Sequence, residues 1–565
     1  MDLNLSKKKL SDYIADYVIH KGTKDIFVFT GGAISHLIDS FGNHKDLNNY
    51  YCVQHEQVGA MAAEGYSRTG KNLGVCLVTS GPGATNLVTG IAGAWYDCIP
   101  VLFFTGQVRT WEMTNDDKLL QRGFQEVNIV EMVKGITKYA NTITDPSKIK
   151  EELDKAYHYA YDGRPGPVLI DLPMDMQWAE IEPSKLHGFK KPTKETPVIE
   201  QLNNIQSHLS NAKKPIIVAG GGIRHSGTIN EFRKFLDKNQ IPCIFSYAGY
   251  DALEFDHQCN LGVMGQFGQI SANSALIESD LIIGLGTRFC SRQISDAFNN
   301  VISSTPVINI NIDRDELKDT PIKCIEKIEC DLKYFFSFAE NNINYSAPSD
   351  WLNNVKGLTT KTVKSIPANT FIDPYEFVSL IHNITKDDAI IVSDTGTNVI
   401  CSAQGARIKA SQQLFSSWAH SPMGYSLPAA IGAQIANPNK QVICHIGDGG
   451  IQLNIQDLQT IRNYNLPIKI FLWNNYGYIT IQMYQKDNLN NRCYATDFDN
   501  GYSQPDFQDI AKAYKINYIQ LKNKDEFEKI QSILNDNEPV IFEVIMDSDF
   551  SVSPSPADIQ SLLTR

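Results

Sequence analysis

The sequence has little of what marks several common classes of protein. Its 565 residues hold no run of 18 apolar residues, so we expect no membrane-spanning helix. The 11 cysteines are scattered and no two form a CxxC pair, which predicts reduced thiols and neither a disulfide framework nor a zinc site. Lysine and arginine number 51 against 63 aspartates and glutamates. A net charge of −12 without a basic tract argues against nucleic-acid binding.

The amino-terminal segment also lacks the apolar stretch of a signal peptide. Leu10, Ile14 and Val18 are spaced as on one face of an amphipathic helix. We therefore expect a cytoplasmic protein. With 42% apolar and 20% charged residues, the composition is that of a globular chain with an ample core.

What the sequence does contain is a recurring unit of a short apolar run, a glycine-rich turn and a helical stretch. Runs that are apolar at every position fit strands buried on both faces, so the pattern predicts an α/β fold with parallel sheets between helices. The runs are 26–32, 74–83, 100–107, 167–173, 215–222, 281–287, 305–313, 389–396, 442–450, 468–475 and 540–547.

Two polar, proline-containing stretches, 181–200 and 341–372, are predicted to be linkers. They divide the chain into three doubly wound α/β domains, which we assign to residues 1–182, 195–340 and 368–552. The first and third domains each carry a glycine-rich loop after a strand. A distant duplication and a general feature of α/β folds both explain this similarity, and the sequence leaves the two open.

The third domain contains a candidate phosphate and metal site. A strand there ends in Gly447, Asp448, Gly449 and Gly450, and the next strand ends at Asn474-Asn475. Both strands of such a βαβ unit end on the same edge of the sheet, where open α/β sheets bind ligands. Asp448 offers a carboxylate and Asn475 an amide oxygen, the hard ligands that Mg²⁺ prefers, while the glycines let backbone N–H groups approach phosphates. The alternative is a plain turn followed by an asparagine pair in a hairpin.

This motif resembles the thiamine-diphosphate signature, and nearly the whole chain is similar to the acetolactate-synthase group. The resemblance implies a pyrimidine-binding domain, a central Rossmann-like domain and a diphosphate-binding domain. It implies Mg²⁺ held by Asp448, Asn475 and the backbone carbonyl of Gly477. It also implies a homodimer or homotetramer in which one subunit supplies the diphosphate site and another activates the coenzyme.

Glu56 is the candidate activating residue. On its own it is a carboxylate in the first turn of a helix, where the helix dipole favours it. The segment HEQVGAMAAEGYSRTG (55–70) resembles the family segment whose first glutamate contacts N1′ of the aminopyrimidine. The coenzyme would carry the carbanion chemistry, and Glu56 would control its proton. Glu64 on the same helix competes for this role, but it matches a structural glutamate of the family.

The same resemblance names further site residues. Gln125 would donate a hydrogen bond to the developing alkoxide, and Gly32 would lie near the reacting carbon. The other implied coenzyme contacts are Thr79, Gly81, Pro82, Asn86, Thr395, Gly396, Met423, Gly447, Gly449, Gly450, Tyr478 and Ile479. Plainer alternatives stay open, namely a structural loop at 78–97, a core-filling Met423 and a solvated Gln125.

A flavin site in the central domain is a further possibility. Segments of this domain resemble those that hold FAD in acetolactate synthases, and the implied contacts are Gly220, Gly221, Gly222, Arg288, Arg292 and Asp313. The loop at 220 is not a GxGxxG motif, and a polyglycine loop is common in α/β folds. In this superfamily the central domain binds FAD, binds another nucleotide or stands empty, and all three remain open.

The predicted activity is that of a carboligase. Pyruvate, or a similar 2-oxo acid, would lose CO₂ and pass its acyl unit to a second carbonyl. Two departures concern the acceptor: the stretch 107–124 is longer than in biosynthetic acetolactate synthases, and Tyr484 replaces a family tryptophan. They suit a keto-sugar nucleotide as the alternative acceptor. An FAD-dependent 2-oxo-acid oxidase, a diketone C–C hydrolase and an inactive nucleotide-binding protein are further alternatives.

Overall fold

The structure is a computed structural model that describes residues 7–114, 119–192, 199–294, 298, 302–357 and 371–563. Three six-stranded parallel sheets span residues 25–173, 215–329 and 390–545, each inside one predicted domain. Every apolar run that the sequence predicted to be a strand contains one, because these are the central strands with helices on both faces.

The first domain carries the order β3-β2-β4-β5-β7-β6 in its parallel sheet, and β1 pairs antiparallel with β8. Its strands are β1 (Lys8–Lys9), β2 (Asp25–Phe29), β3 (Asn49–Cys52), β4 (Gly74–Val78), β5 (Val101–Gln107), β6 (Tyr139–Thr142), β7 (Val168–Pro173) and β8 (Glu180–Ile181). Its helices are α1 (Leu10–His20), α2 (Ser35–Gly42), α3 (Glu56–Thr69), α4 (Pro82–Thr85), α5 (Val88–Tyr96), α6 (Ile129–Val133), α7 (Ile149–Tyr161) and α8 (Met174–Trp178).

The central domain has the order β11-β10-β9-β12-β13-β14. Its strands are β9 (Pro215–Ala219), β10 (Cys243–Phe245), β11 (Asn260–Val263), β12 (Leu281–Leu285), β13 (Val307–Asn311) and β14 (Glu326–Glu329). The helices described in this part of the chain are α9 (Ile199–Asn211), α10 (Gly222–His225), α11 (Ile229–Asn239), α12 (Ile270–Glu278), α13 (Arg314–Lys318), α14 (Leu332–Asn342) and α15 (Ser349–Gly357). Helix α15 lies inside the predicted linker 341–372, where its buried Trp351 packs against the central core.

The third domain has the order β16-β15-β17-β18-β20-β19. Its strands are β15 (Ile390–Ser393), β16 (Gln413–Phe415), β17 (Val442–Gly447), β18 (Lys469–Asn474), β19 (Asn517–Leu521) and β20 (Val540–Ile545). Its helices are α16 (Pro374–Ile384), α17 (Thr397–Gly405), α18 (Ser426–Ala436), α19 (Asp448–Ile451), α20 (Leu458–Asn463), α21 (Ile479–Asn488), α22 (Phe507–Tyr514) and α23 (Glu528–Ile533). The last described helix, α24 (Pro556–Leu563), packs against the core of the central domain through Ile559.

Strand order shows where ligands belong. When the strands of each parallel sheet are numbered from one in chain order, the first and third sheets share the order 2-1-3-4-6-5. The central sheet has the doubly wound order 3-2-1-4-5-6. Open α/β sheets bind ligands outside the carboxyl ends of the strands where the order reverses. These points are β2/β4, β9/β12 and β15/β17, and each predicted glycine-rich loop follows one of these strands.

The first and third domains pack tightly within the chain through α3 and α18. A Cβ built on Gly65 would lie 2.3 Å from the carbonyl oxygen of Ala429, and one on Gly432 would lie 1.8 Å from that of Ala62. Only glycine permits so close a helix crossing. The hydrophobic core around these helices therefore combines side chains of both domains.

Within the residues that the structure describes, no helix is both long enough and apolar enough to cross a membrane. A cytoplasmic location stays a prediction.

Candidate active site

The carboxyl edge of the third sheet brings Asp448 and Asn475 to neighbouring strand ends. Gly447 in β17 lies opposite Trp473 in β18, so the residues that follow both strands share one edge. The buried Asp448 carboxylate accepts hydrogen bonds from the backbone N–H of Gly449 (2.7 Å) and of Gly477 (3.2 Å). Burial raises the pKa of Asp448 to about 6.

The unpaired polar atoms of this edge fit a divalent cation. The Oδ1 atom of Asn475 is buried and has no hydrogen-bond partner, and no described lysine, arginine or histidine forms an ion pair with Asp448. An oxygen-preferring cation would satisfy both groups. The described residues contain no cluster of three or more His, Cys, Asp or Glu that could hold a metal. A metal here would therefore depend on one carboxylate, one amide and backbone oxygen, which is how proteins hold Mg²⁺ beside a phosphate group.

The glycines of this edge lie so close to their neighbours that a side chain at these positions would collide with them. A Cβ on Gly449 would lie 2.3 Å from the ring of Tyr478, and one on Gly450 would lie 2.5 Å from Oδ2 of Asp394. Gly396 has φ +78° and precedes α17, and a Cβ on it would lie 3.2 Å from the Thr480 hydroxyl oxygen. The amino-terminal ends of α17, α19 and α21 are thereby drawn to one edge. The N–H groups at a helix amino terminus suit a diphosphate, and of those in α19 the Gly449 N–H is already donated to Asp448.

Asn398 is a site residue that the sequence reading missed. It lies in the first turn of α17, and its Nδ2 atom is buried without a hydrogen-bond partner. A Cβ on Gly447 would lie 3.2 Å from Oδ1 of Asn398, so this amide faces the same edge as Asp448. The available signal was its position two residues after Gly396, at the start of a helix that follows a strand.

Thr395 and Met423 lie on two loops that are joined at this edge. The hydroxyl groups of Thr395 and Ser421 are 2.6 Å apart, and Asp394 accepts a hydrogen bond from the backbone N–H of Gly424 at 2.9 Å. Met423 is half-buried between these two contacts. Tyr478 and the buried Ile479 begin α21 beside them.

The first domain brings Glu56 and Asn86 together. Glu56 is the first residue of α3 and is buried, and Nδ2 of Asn86 donates to its Oε2 at 2.9 Å. A Cβ on Gly83 would lie 3.6 Å from Oε1, so no side chain covers the carboxylate on that side. This arrangement orients one carboxylate oxygen through Asn86 and leaves the side of the other next to a glycine.

Gln125, Gly81, Thr79 and Gly32 share the switch point of the first sheet. Gln125 has φ +64° and Gly81 has φ +59°, and a Cβ on Gly81 would lie 2.9 Å from Cβ of Gln125. The Thr79 hydroxyl accepts a hydrogen bond from Ala33 N–H at 3.3 Å, and a Cβ on the neighbouring Gly32 would meet open space. A left-handed glutamine persists only where its surroundings hold it, and such strain is concentrated at functional sites. Pro82 is exposed at the start of α4.

Glu64 has a structural environment. It is buried and contacts the guanidinium of Arg68 and the hydroxyl of Tyr425, a residue of the third domain. Because the Glu64 carboxylate is engaged by Arg68 and Tyr425, we assign it a structural role, as its resemblance to the family's structural glutamate implies.

A cavity of about 1200 Å³ lies where the three domains meet. Of the predicted flavin contacts, Gly221, Gly222, Arg288 and Arg292 line it, and Gly220 and Asp313 do not. A Cβ on Gly220 would lie 2.2 Å from the carbonyl oxygen of Gly286, so this glycine serves packing. The Asp313 carboxylate instead caps α13 and forms an ion pair with Arg164 at 3.2 Å. Contact of either residue with a ligand stays a prediction.

The cavity wall is suited to an anion. Arg292 lies over the ring of Tyr247 at 5.4 Å, and neither it nor Arg288 forms an ion pair with a carboxylate in the described part of the chain. Guanidinium groups that lack a carboxylate partner bind phosphate well.

Two departures in the sequence concern the acceptor side. Tyr484 lies exposed on α21, whereas Asp116, Asp117 and Lys118 of the long loop lie outside the described residues.

Comparison with known proteins accounts for all three domains. Residues 8–132 match the model of the N-terminal TPP binding domain of thiamine pyrophosphate enzymes, residues 202–334 the central domain, and residues 394–544 the C-terminal TPP binding domain. The three-sheet fold and these three matches define the class of the protein: it is a thiamine pyrophosphate (thiamine diphosphate) enzyme.

Whole-chain relatives narrow this class. The chain is 36% identical over 550 residues to the acetolactate synthase large subunit of Lactococcus lactis, covering 96% of this chain and 93% of that protein. It is 30% identical over 549 residues to the acetolactate synthase isozyme 2 large subunit of Escherichia coli, covering 96% of each. It is 33% identical over 558 residues to the acetolactate synthase large subunit of Cyanidium caldarium, covering 96% and 94%. The chain belongs to the family of acetolactate synthase large subunits.

Proposed function

We propose that the protein joins two 2-oxo acids. Pyruvate loses CO₂, and its two-carbon unit is joined to the carbonyl of a second 2-oxo acid, which yields acetolactate when the acceptor is also pyruvate. The observation that carries the proposal is the buried Oδ1 of Asn475, which has no hydrogen-bond partner among the described residues, on the same sheet edge as the Asp448 carboxylate, which has no counter-ion among them. The oriented Glu56–Asn86 pair supports it from the first domain.

Each group has a role that follows from its contacts. Asp448, Asn475 and the carbonyl of Gly477 would hold Mg²⁺, while the Asn398 amide and the N–H group of Gly450 would face the diphosphate. The N–H group of Gly449, which donates to Asp448, would keep that carboxylate in place for the metal. When bound, thiamine diphosphate supplies the carbon nucleophile and electron sink for the decarboxylation.

The first-domain residues control protons and charge. Glu56 would exchange a proton with N1′ of the pyrimidine, and the hydrogen bond from Asn86 would keep its carboxylate oriented for that exchange. Gln125, fixed against Gly81, donates a hydrogen bond where negative charge develops on the substrate oxygen.

The activity test incubates the purified protein with Mg²⁺, thiamine diphosphate and labelled pyruvate, alone and with a panel of acceptors. Labelled acetolactate, or its homologue from another 2-oxo acid, is the expected product. A product formed only with keto-sugar nucleotides would overturn the proposal in favour of that acceptor. Consumption of O₂ in step with pyruvate would instead assign an oxidase.

The active unit in this proposal is a homodimer or homotetramer with shared sites. Large apolar side chains are exposed in the segments that lead to Gln125 and follow Asn475, namely Trp111, Leu120 and Phe124 in the first and Ile481, Tyr484 and Phe498 in the second. Exposed apolar surface of this extent typically marks an interface. We place Glu56 of one chain against the Asp448–Asn475 edge of another.

Mixing two inactive variants tests the shared site. A Glu56→Gln chain and an Asp448→Ala chain each lack one half of the site. Random reassociation of a dimer would leave one intact site in each mixed dimer and recover about a quarter of wild-type activity. No recovery, with mixed dimers shown to form, would mean that each chain builds its own site.

The central cavity is proposed to hold FAD, because the Gly221–Gly222 turn lines it together with Arg288 and Arg292, which form no ion pair with a described carboxylate. The protein as purified, or after incubation with FAD, should show visible flavin absorbance that co-elutes with it. Arg292→Ala should weaken flavin retention. Titration without any spectral change or bound flavin would exclude FAD.

A further inference from the structure

The loop between β16 and α18, residues 416–424, connects the central cavity with the diphosphate edge. We call it the connecting loop. Trp418 and Ala419 line the cavity, whereas Ser421 and Gly424 bond to Thr395 and Asp394 at the edge. Met423 lies within this loop. The position of the loop therefore decides where the third domain presents these groups.

A single first-domain carboxylate holds the middle of this loop. Asp97, which follows α5, accepts hydrogen bonds from the backbone N–H of Trp418 at 2.8 Å and of Ala419 at 3.0 Å. The same carboxylate forms an ion pair with Arg68 at 2.7 Å. Its side chain is 2% exposed and that of Arg68 is 7% exposed, so these charge-assisted bonds are shielded from water.

A further contact ties the loop to the first domain, and another lies within the loop. The ring of His420 stacks on that of Tyr96 at 5.7 Å. The backbone N–H of Ser421 donates to the Ser417 hydroxyl at 3.3 Å, and Ser421 itself has φ +55°. A residue other than glycine adopts this conformation when neighbouring contacts enforce it. Contacts with the first domain and with the Ser417 hydroxyl of the loop itself therefore hold the loop in this conformation.

We infer that Asp97 is a positioning residue for the coenzyme site. It fixes the connecting loop, and through it Met423 and the Ser421–Thr395 contact, against the diphosphate edge. The inference rests on the proposed function, since it presumes that thiamine diphosphate binds at that edge. Asp97 acts through the loop and does not itself contact the coenzyme.

The test replaces Asp97 by asparagine, which has the same shape. One oxygen and one N–H₂ group cannot accept from two backbone N–H groups and Arg68, so at least one donor faces another donor. The matched control is Asp280→Asn. Asp280 also accepts from two successive backbone N–H groups, those of Lys213 and Lys214, both at 2.8 Å, far along the chain from the connecting loop.

The readouts are the Kd for thiamine diphosphate with Mg²⁺, the rate of H/D exchange at its C2 when saturated, and amide hydrogen exchange of peptides covering 416–424. For Asp97→Asn we expect a roughly tenfold change in the Kd or the C2 rate, with faster amide exchange in the loop, as loss of one buried charge-assisted bond implies. Asp280→Asn should match the wild type in all three.

Ser417→Ala is a milder second variant that removes the acceptor for Ser421 N–H. It should change the same readouts in the same direction and to a smaller extent. Wild-type Kd, C2 exchange and loop protection in Asp97→Asn would overturn the inference. So would wild-type behaviour of Ser417→Ala should Asp97→Asn fail to fold. A wild-type protein that neither binds the coenzyme nor exchanges C2 would overturn the proposed function as well, and the two failures are thereby told apart.

Discussion

Replacing Glu56 by glutamine separates proton control from binding. The structure allows the exchange without rearrangement, because the glutamine oxygen can accept the 2.9 Å hydrogen bond from Asn86 that Oε2 now accepts. The new amide nitrogen then takes the place of Oε1, on the side where Gly83 has no side chain. We therefore expect the Kd for thiamine diphosphate to change by less than about threefold, since no charge-assisted contact to the coenzyme's charged end is removed.

The rate is expected to behave differently. An amide cannot exchange a proton with N1′, and general acid–base catalysis contributes about 10²- to 10⁴-fold. H/D exchange at C2 of the bound coenzyme, followed by NMR after rapid quenching, should slow by at least about a hundredfold. Turnover of pyruvate should fall by a similar factor.

Glu152→Gln is the control for this measurement. Glu152 is likewise a buried glutamate of the first domain, but it bonds to Tyr139 and Lys155 on the far side of the sheet. Its loss should lower thermal stability without slowing C2 exchange. Equal exchange rates in Glu56→Gln and the wild type would refute the assignment of Glu56.

Three further perturbations test other parts of the structure. Asp448→Ala should raise the Mg²⁺ concentration for half-maximal activity by at least about tenfold, since hard carboxylate ligands dominate Mg²⁺ binding; an unchanged Mg²⁺ titration would contradict the metal site. Burial lowers the pKa of His382 to about 4 and of His445 to about 3, both below the usual 6.5. The unfolded chain therefore binds more protons below pH 6.5, and the stability these residues confer is full above that pH and is lost as the pH falls toward 4, by up to about 1.4 kcal/mol per pH unit for each histidine. Denaturant unfolding from pH 7 to 4.5 should show a shallower decline in His382→Gln than in the wild type, and parallel curves would contradict the burial argument. Gly432→Ala should lower the free energy of unfolding by about 1–3 kcal/mol, because the added Cβ would collide with α3. Gly135→Ala is the control and should lower it little, since the space around Gly135 is open. Equal unfolding midpoints for the two variants would refute the close crossing of α3 and α18.

The sequence by itself determined the fold class and most of the interior strands of the three sheets. It did not single out the short buried strands β10, β11 and β16, and the site residues that it indicated stay predictions. A strand covered by helices on both faces must be apolar at every position. The strand before Gly447 can therefore be predicted from its own residues, without knowledge of the strands beside it. The motif from Gly447 to Asn475 spans one βαβ unit, and its spacing is therefore a local property. The half-buried edge strands were not predicted, because β3, β14 and β19 mix exposed and buried positions and carry no continuous run.

Only the tertiary structure decided which distant side chains meet. Asn86 forms its hydrogen bond with Glu56 because α3 and α5 pack closely through small residues. Asp313 of the central domain forms an ion pair with Arg164 of the first domain. Asp97 lies more than three hundred residues from the loop that it holds, and nothing in its local sequence sets it apart from an ordinary helix-end carboxylate. Burial of a strand or a helix face gives a pattern of apolar residues that can be recognised in the sequence. A hydrogen bond between domains depends instead on how whole sheets and helices pack, which no local pattern records.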